Sequence, residues 1–187
     1  MIAVRRARPS DAPLIGAVHV AAWRSAYPGI LPEAYLARLS VVRHVAQYDR
    51  QIRSGSGVYV AVATGQDVPE GSAPRLVGFT TVGRGRDRLP CGSPTDGEIE
   101  TLYVLDDWRD RGIGRRLIRT GAAHLAAAGS RAAFLWVLSS NPSRWFYERL
   151  GGKAVAHSQT SVAGVSLPQT AFAWDPIERL IATSPAP

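Results

Sequence analysis

The chain has 187 residues, 45% hydrophobic and 20% charged, a balance that suits one folded domain and excludes a disordered regulator. Twenty-two Lys and Arg against fifteen Asp and Glu leave a formal charge of +7, which admits nucleic acid, an anionic membrane or a phosphate-rich ligand. Cys91 is the lone cysteine, excluding an intrachain disulfide or a cysteine-built zinc cluster, and no run nears the about 20 apolar residues of a membrane span.

The opening MIAVRRARPSDAPL lacks the apolar core of a signal peptide, so a cytoplasmic protein is expected. Ile2 and Val4 alternate as in a first strand. Pro9-Ser10-Asp11 then leads into a helix whose Leu14, Ile15, Val18 and Ala22 form one stripe, stopped at Pro28-Gly29. A second helix is expected from about Pro32 to Ile52, through Leu36, Leu39, Val42 and Val45. Strands are expected at 58–62, 76–82 and 98–105, with a long non-periodic insertion before the last. Strict alternation would put Glu98, Glu100, Leu102 and Val104 on one face. A helix over 112–128 ends at Gly129, a strand covers 132–138, and a short helix over 143–150 stops at Gly151-Gly152. Two strands, 154–159 and 169–174, close a single domain over 1–182, leaving a loose tail at 183–187. The order implies an α/β or α+β fold with a mixed sheet.

The densest chemical signal is TLYVLDDWRDRGIGRRLI, a strand passing through a polar turn into a helix. Gly112 and Gly114 let backbone approach a ligand, and N–H groups at a helix start lack internal acceptors, so an anion can bind there. Arg109, Arg111, Arg115, Arg116 and Arg119 cluster around the turn, which favours a phosphate-rich ligand over nucleic acid or membrane. The segment is neither a Walker A loop nor a GxGxxG fingerprint, and a glycine-bearing turn can also be purely structural.

Arg109-Asp110-Arg111-Gly112-Ile113-Gly114 resembles the (Q/R)xxGx(G/A) acetyl-CoA motif of the Gcn5-related N-acetyltransferase (GNAT) superfamily, with Leu102-Tyr103-Val104 before it. Asn141 to Gly151 looks like the downstream Asn and FYexxG block, and His19 to Pro32 is similar to the opening helices of many bacterial members. Asp106-Asp107 departs from the family pattern, in which a proline commonly follows the strand.

The resemblance implies a mostly antiparallel central sheet with flanking helices and two splayed central strands. It assigns the pantetheine arm to Leu102, Tyr103 and Val104, the pyrophosphate to Arg109, Asp110, Arg111, Gly112, Ile113, Gly114 and Arg115, and a further contact to Asn141. It also implies direct attack by an amine on the thioester in a ternary complex. Tyr147 aligns with the tyrosine that protonates the coenzyme A sulfur, although it can equally pack its helix, the role expected of Phe146. Glu98 corresponds to the strand glutamate that acts as base in some members, and Glu100 can replace it, orient water or bind a substrate cation; both can also simply face solvent. Trp23, Tyr27 and Tyr35 are candidates to line the acceptor pocket, with helix packing as their plainer role; His19 is in the same position. Cys91 has no evident His partner for a covalent route, and His124 and His157 lack neighbouring ligands, so no metal is expected. A small-molecule amine is the expected acceptor, with a peptide N-terminus or protein lysine as alternatives, and an inactive acetyl-CoA-binding module as another. Exposed sheet edges are compatible with a homodimer, and nucleic acid and membrane are not expected as partners.

Overall fold

Runs rich in valine, with isoleucine, threonine, tyrosine and phenylalanine, favour extended backbone and lay down the first half of the sheet. Strands β1 (Ile2–Arg6), β2 (Gly57–Ala63), β3 (Arg75–Arg84) and β4 (Gly97–Val104) pair antiparallel in that order. The computed structural model describes residues 1–69, 71, 73–85 and 97–182. Cys91 and the expected tail at 183–187 lie outside the described residues. Strand β5 (Ala133–Leu138) joins β4 in parallel, and the hairpin of β6 (Lys153–Val162) and β7 (Val165–Trp174) completes the seven-stranded order β1-β2-β3-β4-β5-β7-β6.

Helices cover both faces. On one, α1 (Ala12–Ala26) and α3 (Val41–Arg53) enclose Ile15, Val18, Tyr48, Val58, Val60 and Phe79. On the other, Ile113, Leu117, Ile118 and Leu125 of α4 (Ile113–Ala127) pack on the sheet. Short helices α2 (Glu33–Ala37), α5 (Arg144–Arg149) and α6 (Glu178–Ala182) fill the ends, and Leu180 of α6, which periodicity had not signalled, is fully buried. Among the described residues no helix is long and apolar enough to cross a membrane.

Three expectations need correction. The single helix over 32–52 is two helices, because Ser40 adopts extended backbone and its Oγ accepts the N–H of Arg43 at 3.3 Å, starting α3 afresh. Arg24 meanwhile donates to the carbonyls of Leu36, Ala37 and Leu39 at the end of α2. Leu14 and Val42, assigned to buried stripes, are 48% and 78% exposed. The third correction concerns β4. Thr81 faces Thr101 but Val82 faces Ile99, so Glu100 is the extra residue of a β-bulge. The bulge shifts the alternation by one: Leu102 and Val104 turn toward α4, whereas Glu98 and Glu100 turn toward α3.

Asp11 fixes β1 to the start of α1. Its carboxylate accepts Nη1 and Nη2 of Arg5 at 2.7 and 2.9 Å and the backbone N–H of Arg8 at 2.7 Å. The Arg5 hydrogen bonds hold this carboxyl below its usual range, against the opposing effect of burial. A depressed carboxylate pKa stabilises the fold fully above the unfolded value of about 3.9, and that contribution is lost as pH falls through the folded-state value. Asp11→Asn should therefore cost about 2 kcal/mol at neutral pH in urea unfolding, with the gap to wild type closing in acid below about pH 3.9.

Candidate active site

Strands β4 and β5 stay together for only two register pairs, Gly97 with Ala133 and Glu98 with Phe134. Beyond them β4 remains paired with β3 as far as Val104, and β5 remains paired with β7 as far as Leu138. The strands diverge, and a cleft of ≈ 700 Å³ passes through the opening. Its walls are residues 100–104 of β4, residues 135–138 of β5, the start of α4, the end of α1 and part of α5. Among the described residues, β4 has no strand partner on its β5 side over 99–104, so backbone polar groups there face the cleft without a ladder.

The turn before α4 forms one end of this cleft. Asp110 (φ 59°) and Gly112 (φ 74°) both adopt left-handed backbone, a conformation that glycine enters without the steric penalty of a Cβ. The N–H of Arg116 donates to the carbonyl of Gly112 at 3.1 Å, the first bond of the helical ladder. N–H groups ahead of it have no intrahelical acceptor, and the positive end of the helix dipole adds to them. Arg109, Asp110, Gly112, Ile113, Gly114 and Arg115 line the cleft, whereas Arg111 does not: its guanidinium lies over the Trp108 ring, 4.8 Å from the centroid. Asp106 organises the approach to this turn. One carboxylate oxygen pairs with Nη2 of Arg109 at 2.6 Å, and the other accepts the Ser25 hydroxyl from the end of α1.

Aromatic and amide groups form the other end. Tyr147 on α5 lines the cleft and is 8% exposed; burial, reinforced by neighbouring Tyr27, pushes its phenol above the ordinary tyrosine value. It is therefore a protonated donor at neutral pH. Asn141 donates from Nδ2 to the Tyr27 hydroxyl at 3.3 Å, while its Oδ1 accepts the N–H of Ser143 at 2.9 Å, so its amide ties α1 to the loop ahead of α5. Trp23 donates its indole N–H to the Tyr103 hydroxyl at 2.8 Å. Leu102, Tyr103, Val104, Asn141, Trp23 and Tyr27 thus all line the cleft, as does Phe146, which also packs on the core.

The two glutamates part company. Glu100 lines both the cleft and a second cavity of ≈ 360 Å³ beneath α3, but Glu98 lines only the second. Thr81 donates its hydroxyl to Glu100 at 3.2 Å and so orients it. His19 is a core residue: its Nδ1 lies 2.6 Å from the Tyr48 hydroxyl, its ring stacks on His44, and burial lowers its pKa to about 3. Tyr35 packs against Trp23, outside the cleft wall. His124 and His157 contact Tyr59 and Thr170, and no metal-holding group of His, Cys, Asp and Glu occurs among the described residues. Sequence reasoning missed Trp108, Trp136, Leu138, Thr160 and Gln169 in the cleft wall. For Trp136 and Leu138 the alternation of β5 carried a signal; Gln169 is brought near only by pairing opposite Leu138, and Thr160 only by the pairing of β6 with β7.

The model of the Acetyltransferase (GNAT) family matches residues 20–152. The uncharacterized N-acetyltransferase YuaI of Bacillus subtilis is 33% identical over 180 residues, with 96% of each chain covered. An N-acetyltransferase structure from Staphylococcus aureus Mu50 superposes with a TM-score of 0.68 at 18% identity, over 94% of this chain and 98% of that one. The structure of yncA from Salmonella typhimurium with its cofactor acetyl-CoA also has a TM-score of 0.68, at 19% identity and 94% coverage of both chains. At those identities the two structures speak for the fold alone, whereas the family match covers most of the sequence; the chain belongs to the GNAT acetyltransferase family.

Proposed function

We propose that the protein transfers an acetyl group from acetyl-CoA to a primary amine of a small molecule, by direct attack within a ternary complex. The carrying observation is the cleft between β4 and β5, which has an anion-binding turn at one end and a buried, protonated phenol toward the other. A cytoplasmic location accords with a single cysteine and the absence of disulfides.

The residues present fit the cofactor. Free N–H groups at the start of α4, with Arg109 and Arg115, suit a pyrophosphate, and the unladdered backbone of β4 suits the amides of a pantetheine arm. At Gly114, which lines the cleft, a Cβ would lie at ordinary contact distance, 3.4 Å, from the Phe146 ring. When bound, acetyl-CoA supplies an activated acyl group on a thiol leaving group. Glu100, the glutamate that reaches the cleft, takes a proton from the incoming ammonium group. The freed amine would form the new C–N bond as the C–S bond breaks; Tyr147 would give its phenolic proton to the departing sulfur and regain one from the nitrogen, which sheds its second proton in becoming an amide. Asn141 and Tyr27, hydrogen-bonded to each other, line the same cleft.

Calorimetric titration with acetyl-CoA should give saturable one-to-one binding, with ATP binding far more weakly; absence of binding to folded protein would overturn the donor assignment. Gly112→Val forces a β-branched residue to φ 74°, so it should lower stability by at least about 1 kcal/mol in denaturant melts and weaken acetyl-CoA in the same titration. Tyr147→Phe should leave acetyl-CoA affinity within a few fold and slow chemistry-limited turnover about a hundredfold, and Glu100→Gln should do likewise. Equal turnover by either variant would remove that residue from the proton transfers.

A further inference from the structure

Given acetyl transfer to an amine, the reading on which this site depends, we propose that the acceptor is a dication. It is a diamine or longer polyamine whose reacting amine lies in the main cleft and whose distal ammonium occupies the second cavity beneath α3. The two cavities share Glu100 and Thr101 as lining residues and so lie next to each other along β4.

The second cavity is built from groups that accept hydrogen bonds or attract positive charge. Glu98 and Glu100 contribute carboxyl groups, Gln47 and Gln51 side-chain amides, Thr81 and Thr101 hydroxyls, and Tyr48 a ring held by its bond to His19. No Lys or Arg lines it among the described residues, in a chain whose formal charge is +7. Gln51 Oε1 is buried and, among the described residues, has no donor. A buried acceptor oxygen without a donor is destabilising, and an entering ammonium N–H can supply one. Both carboxylates already interact within the chain, so a cation entering here joins groups that are held in place rather than loose side chains.

Alternation puts Glu98 and Glu100 on the same face, and the β4 bulge turns Leu102 and Val104 to the other. Glu100 lines both cavities and Glu98 only the second. A monoamine engages the first; a diamine engages both. This separates the preference for a second charge from the chemistry at the thioester.

The test compares putrescine and cadaverine with n-butylamine and n-pentylamine as acceptors, using wild type, Glu98→Gln and Gln51→Leu. Wild type should show kcat/KM about tenfold or more in favour of each diamine over its monoamine, expressed mainly in KM, the factor expected of one additional desolvated charge contact. Both variants should pull that ratio toward unity. Calorimetric titration of putrescine against n-butylamine in the presence of coenzyme A reads the same difference without turnover, so a slow variant remains informative. Equal kcat/KM for the two series in wild type, or a ratio unmoved in both folded variants, overturns the distal cation site while leaving acetyl transfer intact. Turnover of no amine of either kind removes acetyl transfer to amines, and the distal site with it.

Discussion

The parting of β4 and β5 is the constraint on which the rest of the molecule turns. A central strand normally satisfies its backbone donors and acceptors on both sides, and a buried peptide group without a partner is costly. Here β4 loses its second neighbour after Glu98, and β5 keeps only β7. The opening is tolerable because both strands stay anchored on their outer sides, β4 by β3 and β5 by the long β6–β7 hairpin, while large buried side chains from α4 and α6 close one face. Unpaired polar backbone at the centre of a well-packed sheet is a binding device, and the side chains around it follow from that geometry.

Those side chains are held by one another. Trp23 lies in α1 and Tyr27 caps its end, yet their polar atoms are bonded to β4 through Tyr103 and to the loop after β5 through Asn141. The donor wall and the acceptor wall are thus joined by neutral hydrogen bonds in a poorly hydrated setting, where such bonds are stronger than in water. Tyr147 stands beside this network with its phenol proton retained by burial. A phenol that keeps its proton and a Glu100 side chain oriented by Thr81 thus share one cleft.

The parts of the fold that could be read from sequence were those with a local cause. The turn from Arg109 to Gly114 was legible because glycine spacing and the switch from strand to helix periodicity lie within one short segment. The α4 helix, with its buried Ile113, Leu117, Ile118, Ala122 and Leu125, followed for the same reason. What could not be read had non-local causes. The bulge at Glu100 exists only in the pairing of β4 with β3, so alternation alone assigned Leu102 and Val104 to the wrong side relative to the glutamates. Ser40 interrupts a periodic run with a cap that costs the pattern no apolar residue. Arg111 was counted by its charge, but its planar guanidinium found the Trp108 face. Thr160 and Gln169 carry no chemical signature and enter the cleft wall through strand pairing alone.

Asp106-Asp107 stands where the resembled family pattern commonly has a proline, and Asp106 reaches both the hydroxyl of Ser25 and the guanidinium of Arg109. A proline ring would stiffen that segment covalently, at any salt concentration. Here the stiffening is electrostatic and nearly half exposed, with side-chain accessibilities of 48% for Arg109 and 47% for Asp106. Mobile ions weaken such a pair as their concentration rises. Substituting a carboxylate for a ring has thus made the posture of the turn responsive to the ionic composition of its surroundings, a sensitivity that a proline-bearing relative would lack.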